Sequence, residues 1–298
     1  MKAWGRLLCG LCALLLFAPA AQAQGVTQPS LDKIREYGAI YVGHREASVP
    51  FSYMVGGATI GYSMDLCDRI VDAVKLRLGD PGLKVVLVPV TKSSRLMMLM
   101  TGVIDLECGS TTNTRIRQQS VAFGPTSFVS GIKALTRRDA GIERITDLNG
   151  KAVVTIAGTT TERVVRTVMA ARNVSARAKS ARSNAESLSM VLSHQADAFV
   201  LDDALLAGLL AVSPDAAKLR LLDESFGFEP YGIALRKDDP EFKQLVDDTL
   251  RAMMKSGEVE RIYTKWFMSP IPPNNINLQI PMSNLLRELL ANPNDTGI

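Results

Sequence analysis

The sequence has little of what most enzymes use for catalysis. It contains two histidines, His44 and His194, and four cysteines among 298 residues. It has no HExxH, GxSxG or phosphate-loop motif, and no cysteine–histidine spacing typical of a metal site. The sequence therefore predicts no metal and no cofactor. It disfavours zinc hydrolases, serine hydrolases and nucleoside triphosphatases.

Charge of one sign and long apolar segments are also scarce. Lysine and arginine number 34 against 30 aspartates and glutamates, which leaves a net charge of +4. So weak an excess indicates neither a nucleic-acid partner nor a membrane surface. No apolar run is long enough to span a bilayer, so membrane insertion is not expected. We expect a globular chain of one large or two moderate domains.

The first 23 residues (1–23) predict a signal peptide. A basic start is followed by an apolar run and the small-residue cleavage site Ala21-Gln22-Ala23. The mature chain would begin near Gln24, outside the cytoplasm, and would retain Cys67 and Cys108. Both cysteines lie on apolar faces, and an oxidising compartment permits a disulfide between them. Two buried free thiols are the alternative, because the sequence does not supply the Cα separation that a bridge needs.

Helical and strand patterns alternate along the whole chain, in two series. The first series ends near Cys108, and the second begins after Thr136. Alternating patterns of this kind predict an α/β fold with largely parallel sheets. Each series has a glycine- and hydroxyl-rich loop after a strand, at 109–114 and at 158–161. Two such loops facing each other across a cleft would hold one small polar ligand.

The segment 104–117, IDLECGSTTNTRIR, is the most informative stretch. Its first five residues alternate between apolar and acidic side chains, as in a half-buried strand. Hydroxyls and free backbone N–H groups follow at the carboxyl end of that strand, and then Arg117. These groups together suit a carboxylate. The alternative is a turn into a helix, with Thr112 or Thr114 as its N-cap and the arginines in solvent.

Several segments carry a resemblance to one family. They are HREASVPFSY (44–53), GYSMDLCDRIVDAV (61–74), ECGSTTN (107–113), GKAVV (150–154), GTT (158–160), DDALLAG (202–208), PYGIALRKDDPEF (230–242) and KWFMSPIPP (265–273). In this order they resemble the periplasmic glutamate/aspartate-binding proteins of ABC importers. Those proteins belong to the family 3 extracellular solute-binding proteins.

The resemblance implies a two-lobed periplasmic-binding-protein fold of type II that closes on its ligand. Each lobe would be a mostly parallel sheet flanked by helices. Lobe 1 would comprise 25–128 and 231–298, and lobe 2 would comprise 133–228. Two extended strands near 129–132 and 228–230 would form the hinge.

The resemblance also implies which residues hold the α-amino acid group. Arg117 matches the arginine that grips the α-carboxylate, and Ser110 and Thr112 match hydroxyls of the same loop. Thr160 matches a donor on lobe 2. Asp202 matches the acid that accepts the α-ammonium. The alternative is that one of Asp202 and its neighbour Asp203 only caps the helix that follows.

The distal carboxylate of the ligand is assigned to a second group of residues. Arg45 and Arg95 match the two arginines that make this branch selective for acidic side chains, although a structural ion pair is the alternative for each. Close relatives have serine where this chain has Lys92, and histidine where it has Asn184. Acidic ligands remain favoured, but the preference between aspartate and glutamate stays open.

The implied partners are L-glutamate or L-aspartate and the permease and ATPase subunits of an ABC transporter. The implied protein is a periplasmic monomer. Two rival functions remain. One is a dehydratase of the cyclohexadienyl type on the same fold, with Glu46 as a general acid. The other is a ligand-sensing module for a separate receptor.

Overall fold

The computed structural model describes residues 28–298, so the predicted signal peptide and its cleavage site lie outside the described residues. The helices are α1 (Ser30–Tyr37), α2 (Tyr62–Leu78), α3 (Arg95–Met100), α4 (Thr160–Ala171), α5 (Asn184–Leu192), α6 (Asp203–Val212), α7 (Pro240–Lys255), α8 (Glu258–Phe267) and α9 (Asn284–Ala291). The strands are β1 (Ala39–His44), β2 (Ala47–Ser48), β3 (Ser52–Val55), β4 (Ala58–Ile60), β5 (Lys84–Pro89), β6 (Leu106–Glu107), β7 (Val121–Phe123), β8 (Phe128–Arg137), β9 (Ala152–Ile156), β10 (Arg177–Ala181), β11 (Ala198–Asp202), β12 (Leu219–Leu221), β13 (Gly227–Tyr231), β14 (Ala234–Arg236), β15 (Pro270–Ile271) and β16 (Ile276–Asn277).

Two large sheets define two lobes. Lobe 1 contains the sheet β5-β1-β6-β14-β7, and lobe 2 contains the sheet β10-β9-β11-β8-β12, with β13 also paired to β8. The strands β9 and β11 are buried along their whole length, which suits their apolar sequences AVVTI and AFVLD. Smaller sheets, β2-β3-β4 and β15-β16, belong to neither large sheet.

The two large sheets are mixed rather than mostly parallel. In lobe 1, β1 pairs in parallel with β5 and β6, whereas β14 pairs antiparallel with β6 and β7. In lobe 2, β9 pairs in parallel with β10 and β11, whereas β8 pairs antiparallel with β11, β12 and β13. The alternation of helices and strands predicted the parallel part of each sheet. It did not predict the antiparallel pairing that completes each sheet, such as that of β14 in lobe 1 and of β8 in lobe 2.

The strands β8 and β13 run side by side between the lobes. Ser130 lies opposite Glu229, and Val129 lies opposite Pro230. At the lobe 1 end of this pair, Phe128 stacks on Phe267 with 4.8 Å between ring centroids, and both side chains are buried. Aromatic burial therefore anchors the two crossing strands to α8.

The acidic segment before the site loop is more deeply buried than its alternating pattern predicted. Only Leu106 and Glu107 form strand β6, and Asp105 and Glu107 are both almost completely inaccessible to solvent. Asp105 pairs with Lys33 at 2.8 Å and accepts the backbone N–H of Tyr41. The prediction of a half-buried strand was wrong because β6 is a central strand with both of its faces covered.

Two long-range links fasten the loop that follows β6. Cys67 of α2 and Cys108 form a disulfide with a Cα separation of 6.2 Å. The backbone of Ile298 exchanges hydrogen bonds with Asn113 and Arg115, at 3.3 and 3.0 Å. Of the two states that the sequence left open for the cysteines, the structure contains the bridge. The disulfide thus fixes the start of the loop after β6, and Ile298 fixes its later part.

None of the helices within residues 28–298 combines the length and the apolar character needed to cross a bilayer.

Candidate ligand-binding site

The loop after β6 presents Arg117 to the space between the lobes. Its Nη1 donates to the carbonyl of Thr112 at 2.8 Å, and its backbone N–H donates to Oγ1 of Thr114 at 3.1 Å. Thr114 therefore holds the turn that leads into a short 3₁₀ helix, Arg117–Gln119, and the Arg117 side chain folds back toward the loop. Burial lowers the pKa of Arg117 to about 10, and the charge of Arg95 acts in the same direction.

Gly109 allows the loop after β6 to approach the side chain of Arg45. A Cβ atom at this position would lie 2.4 Å from Oε1 of Glu107 and 2.9 Å from Cγ of Arg45. Side chains and loop backbone are therefore in close contact here, which explains a glycine at the start of the hydroxyl-rich segment.

Arg45 is partly buried and Arg95 is buried, and the two arginines lie close enough in lobe 1 for their charges to interact. Arg95, the first residue of α3, donates to the carbonyl of Ser110 at 3.1 Å and lies 3.8 Å from Glu107. Burial lowers the pKa of Arg45 to about 10, with a further contribution from the charge of Arg95. Two like charges are held together in a site from which water is largely removed, which favours an anion between them.

Lobe 2 contributes a hydroxyl and a carboxylate. Oγ1 of Thr160, the first residue of α4, lies 3.2 Å from Oγ1 of Thr112 on lobe 1. Asp202, the last residue of β11, is buried, and burial raises its pKa to about 7, with Glu229 adding to the shift. The neighbouring Asp203 instead accepts hydrogen bonds from Ser130 and the backbone of β8. Asp203 therefore has the structural role, and Asp202 is left for the cleft.

Lys92 and Asn184 meet across the cleft. Nζ of Lys92 donates to Oδ1 of Asn184 at 2.9 Å. Burial lowers the pKa of Lys92 to about 7; Asp202 opposes this shift, and the charges of Arg45 and Arg95 add to it. A pocket of about 460 Å³ between the lobes is lined in part by Arg45, Lys92 and Asn184. A larger open cavity on lobe 2 contains none of the predicted site residues.

Sequence reasoning missed two carboxylates of the site. Glu229 on β13 is buried and accepts a hydrogen bond from Oγ1 of Thr112, and Glu107 accepts one from Oγ1 of Thr111. A lone acid in the otherwise apolar segment around Glu229 was the available signal. The two acids hold threonine hydroxyls in place and offset part of the positive charge of the arginines.

The structure brings all nine predicted site residues around one cleft. They are Arg45, Lys92, Ser110, Arg95, Thr112, Arg117, Thr160, Asn184 and Asp202. Within residues 28–298, several buried site atoms make no hydrogen bond. They include Nε and Nη1 of Arg45, Nε of Arg95 and Oδ1 of Asp202. Unpaired donors and an unpaired acceptor in one site match a ligand that carries both signs of charge.

Comparison with known proteins agrees with the fold. Residues 40–269 match the bacterial extracellular solute-binding proteins, family 3. The chain is 42% identical to the glutamate/aspartate import solute-binding protein of Salmonella typhimurium, over 98% of this chain and 96% of that one. It is 43% identical to the L-glutamate/L-aspartate-binding protein of Pseudomonas aeruginosa, over 96% of this chain and 94% of that one.

Solved structures are similar over most of the chain. A mutant of ArgBP from T. maritima superposes with a TM-score of 0.69 at 27% identity, covering 80% of this chain and 98% of that one. An ancestral amino acid-binding protein, a precursor of cyclohexadienyl dehydratase, superposes with a TM-score of 0.68 at 29% identity, covering 80% and 99% of the two chains. From its sequence match, its full-length relatives and its two lobes, the chain belongs to the bacterial extracellular solute-binding proteins, family 3.

Proposed function

We propose that this chain is a periplasmic solute-binding protein that captures glutamate or aspartate between its lobes and delivers it to an ABC permease. The named relatives support the ligand class, since they are glutamate/aspartate import proteins at 41–43% identity over nearly the whole chain. Export through the predicted signal peptide, a monomeric state, and a membrane permease with its ATPase are parts of the same proposal.

The single observation that carries the proposal is the pairing of buried arginines with a buried acid that accepts no hydrogen bond at Oδ1. Arg45 and Arg95 have inaccessible N–H groups without acceptors, and Asp202 has an inaccessible oxygen without a donor. An acidic amino acid supplies a distal carboxylate to the arginines and an ammonium to Asp202. Its α-carboxylate is then assigned to Arg117, Ser110, Thr112 and Thr160. The ligand carboxylate would compete with Glu229 for the Thr112 hydroxyl, which donates to Glu229 in this structure.

The two lobes would close about the strands that connect them. We assign 25–128 and 231–298 to lobe 1, 133–228 to lobe 2, and the hinge to 129–132 and 228–230. The antiparallel pairing of β8 with β13 supports this assignment, since the chain enters the lobe 2 sheet along β8 and leaves it along β13. The ligand would dock on the arginines of lobe 1, and closure would bring Thr160 and Asp202 onto it.

We also propose that the cleft binds its ligand without transforming it. Glu107 and Glu229 are engaged by threonine hydroxyls, and Glu46 has an exposed side chain. Two of these acids hold threonine hydroxyls and the third faces solvent, which favours binding over acid catalysis. Incubation with prephenate and arogenate should give no product, and measurable turnover of either would replace binding with catalysis.

Calorimetric titration of the ligand-stripped protein with glutamate, aspartate, glutamine and asparagine tests the main proposal. The acids should bind at micromolar affinity or tighter, and each amide should bind at least ~100-fold more weakly than its acid, because an amide leaves two buried arginines unpaired. Equal affinity for acid and amide, or no binding of either acid, would overturn it.

A further inference from the structure

The contact between Lys92 and Asn184 joins two elements of different lobes. Lys92 lies in the turn before α3 on lobe 1, and Asn184 is the first residue of α5 on lobe 2. Their side chains are 92 residues apart in sequence and 2.9 Å apart in space. Asn184 is only 8% exposed. Ser183, not Asn184, caps α5 by accepting the backbone N–H of Glu186. The Asn184 side chain is therefore free to serve the cleft.

The surroundings of Lys92 explain what its ammonium needs. Arg45 and Arg95 are like charges that disfavour it, whereas Asp202 and Glu229 attract it. Removal of the ammonium from solvent also disfavours its charged form. The protein therefore stabilises Lys92, the third cation beside the two arginines, only in part. An anionic group between Lys92 and the two arginines would supply the missing attraction.

The ammonium has the hydrogen-bonding capacity for both partners. A lysine donates three hydrogens, and the bond to Asn184 uses one of them. The remaining two are available to a ligand carboxylate. Lys92 contacts lobe 2 directly, and it could donate to the distal end of a ligand at the same time.

We propose that Lys92 and Asn184 form a charge-dependent latch between the lobes. The inference rests on the proposed function and deepens it, because it makes Lys92 a specificity-determining residue for acidic ligands. Closing the cleft buries three cations together. A distal carboxylate compensates them and lets the Lys92–Asn184 bond hold the closed form. A neutral distal amide leaves the three cations uncompensated, so closure is disfavoured and the ligand is released.

A double-mutant cycle tests the latch directly. Lys92→Met and Asn184→Ala, singly and together, are titrated with glutamate and glutamine, and closure is followed by small-angle X-ray scattering with and without ligand. Each single variant should weaken glutamate binding by about tenfold or more, the loss of one charge-assisted contact. The double variant should be only about as weak as Lys92→Met, because the two residues act through one bond.

Two further variants separate charge from bridging. Lys92→Gln retains an amide that reaches toward Asn184 but lacks the charge, so it should lose most of the preference for glutamate over glutamine. Asn184→Ala keeps the charge, so it should keep that preference while closing less completely with glutamate. The matched control is Lys84→Met, which removes an exposed lysine of β5 on the same lobe and should leave both affinities within about twofold of the parent protein.

The outcomes distinguish the latch from the proposed function. If the parent protein binds neither acid, the proposed function itself fails. If it binds the acids but the two single effects multiply in the double variant, Lys92 and Asn184 act independently and there is no latch. Retention of the full acid preference by Lys92→Met also overturns the inference. Thermal unfolding of each ligand-free variant identifies any that fail to fold.

Discussion

The two sides of the cleft differ in charge and in how firmly they are built. Of the nine predicted site residues, lobe 1 contributes four cations and two hydroxyl groups, and lobe 2 contributes two neutral side chains and one carboxylate. The cations are Arg45, Lys92, Arg95 and Arg117, and the lobe 2 groups are Thr160, Asn184 and Asp202. Lobe 1 is also tied by the disulfide and by the return of residues 294–298 to its loop. The difference teaches that lobe 1 is the preorganised side that attracts an anion, and lobe 2 the side that completes its recognition.

Substitution of Arg117 on lobe 1 should cause the largest loss of ligand affinity. Arg117→Met should weaken the binding of every amino acid by at least ~1,000-fold, since it leaves an α-carboxylate desolvated without its cation. Calorimetric titration measures the loss. Arg115→Met is the matched control, because Arg115 lies on the same loop, is exposed, and donates to the carbonyl of Gly297 rather than to the cleft. Normal glutamate binding by Arg117→Met would show that the α-carboxylate is held elsewhere.

Opening the disulfide should loosen lobe 1 selectively. Cys67 and Cys108 close a segment of 41 residues, and loss of that constraint should cost about 4 kcal/mol in the free energy of unfolding. The measurement is urea unfolding of Cys67→Ala/Cys108→Ala beside the oxidised and the reduced parent protein. If the three forms unfold at the same urea concentration, the bridge does not stabilise lobe 1.

Asp202→Asn should damage the lobe 2 side without damaging the fold. The α-ammonium loses its charged acceptor, so affinity should fall by roughly 100-fold. The ligand-free protein should unfold at the same temperature or higher, because a buried carboxylate with an unsatisfied Oδ1 is removed. Asp203→Asn should do the opposite and lower the unfolding temperature, since Asp203 holds Ser130 and Gly131. Equal destabilisation by both variants would contradict the division of roles.

The smallest expected effect is a release or uptake of protons when the ligand binds. Asp202 on lobe 2 should release a proton, and Lys92 on lobe 1 should take one up. Asp202, whose pKa is raised to about 7, is largely protonated at pH 6, and the ligand ammonium should expel that proton. Lys92, whose pKa is lowered to about 7, is largely neutral at pH 8, and the distal carboxylate should draw a proton onto it. Binding should therefore release protons below pH 7 and take them up above it.

Titrations in buffers with different ionisation enthalpies measure this exchange. The charged groups that face Lys92 are Arg45, Arg95, Asp202 and Glu229. Lys92→Met should abolish the uptake at pH 8 and keep the release at pH 6. Uptake that survives this change would assign the proton to another group.

Local sequence patterns predicted the alternation of helices and strands but not every strand. Of the ten-residue strand β8, only the hinge segment 129–132 was expected. The apolar residues 152–156 form β9, and residues 240–255, whose apolar side chains recur at helical spacing, form α7. Leu286 and Leu290 are buried in α9. The strands β2 to β4 have two to four residues each and were missed, because so few residues show no measurable periodicity.

The residues of the candidate site were also predicted only in part. The arginines, hydroxyls and Asp202 were identified along the chain by resemblance, and the structure places them around one cleft. Glu229 was missed because its role comes from a hydrogen bond with Thr112, 117 residues away. The depth of burial of Asp105 and Glu107 was also missed, because alternation along one strand does not reveal what covers its second face.

The sequence by itself determined the α/β class, the two-lobed family and the types of side chain offered to a ligand. The α/β class follows from periodicity, and the family and its two lobes follow from the resemblance of the sequence motifs. Only the tertiary structure decided that Lys92 meets Asn184, that Asp203 rather than Asp202 fixes the crossing strand, and that buried acids stand among the arginines. Each of these depends on burial and on contacts between distant segments, and both arise only when the two lobes fold against each other.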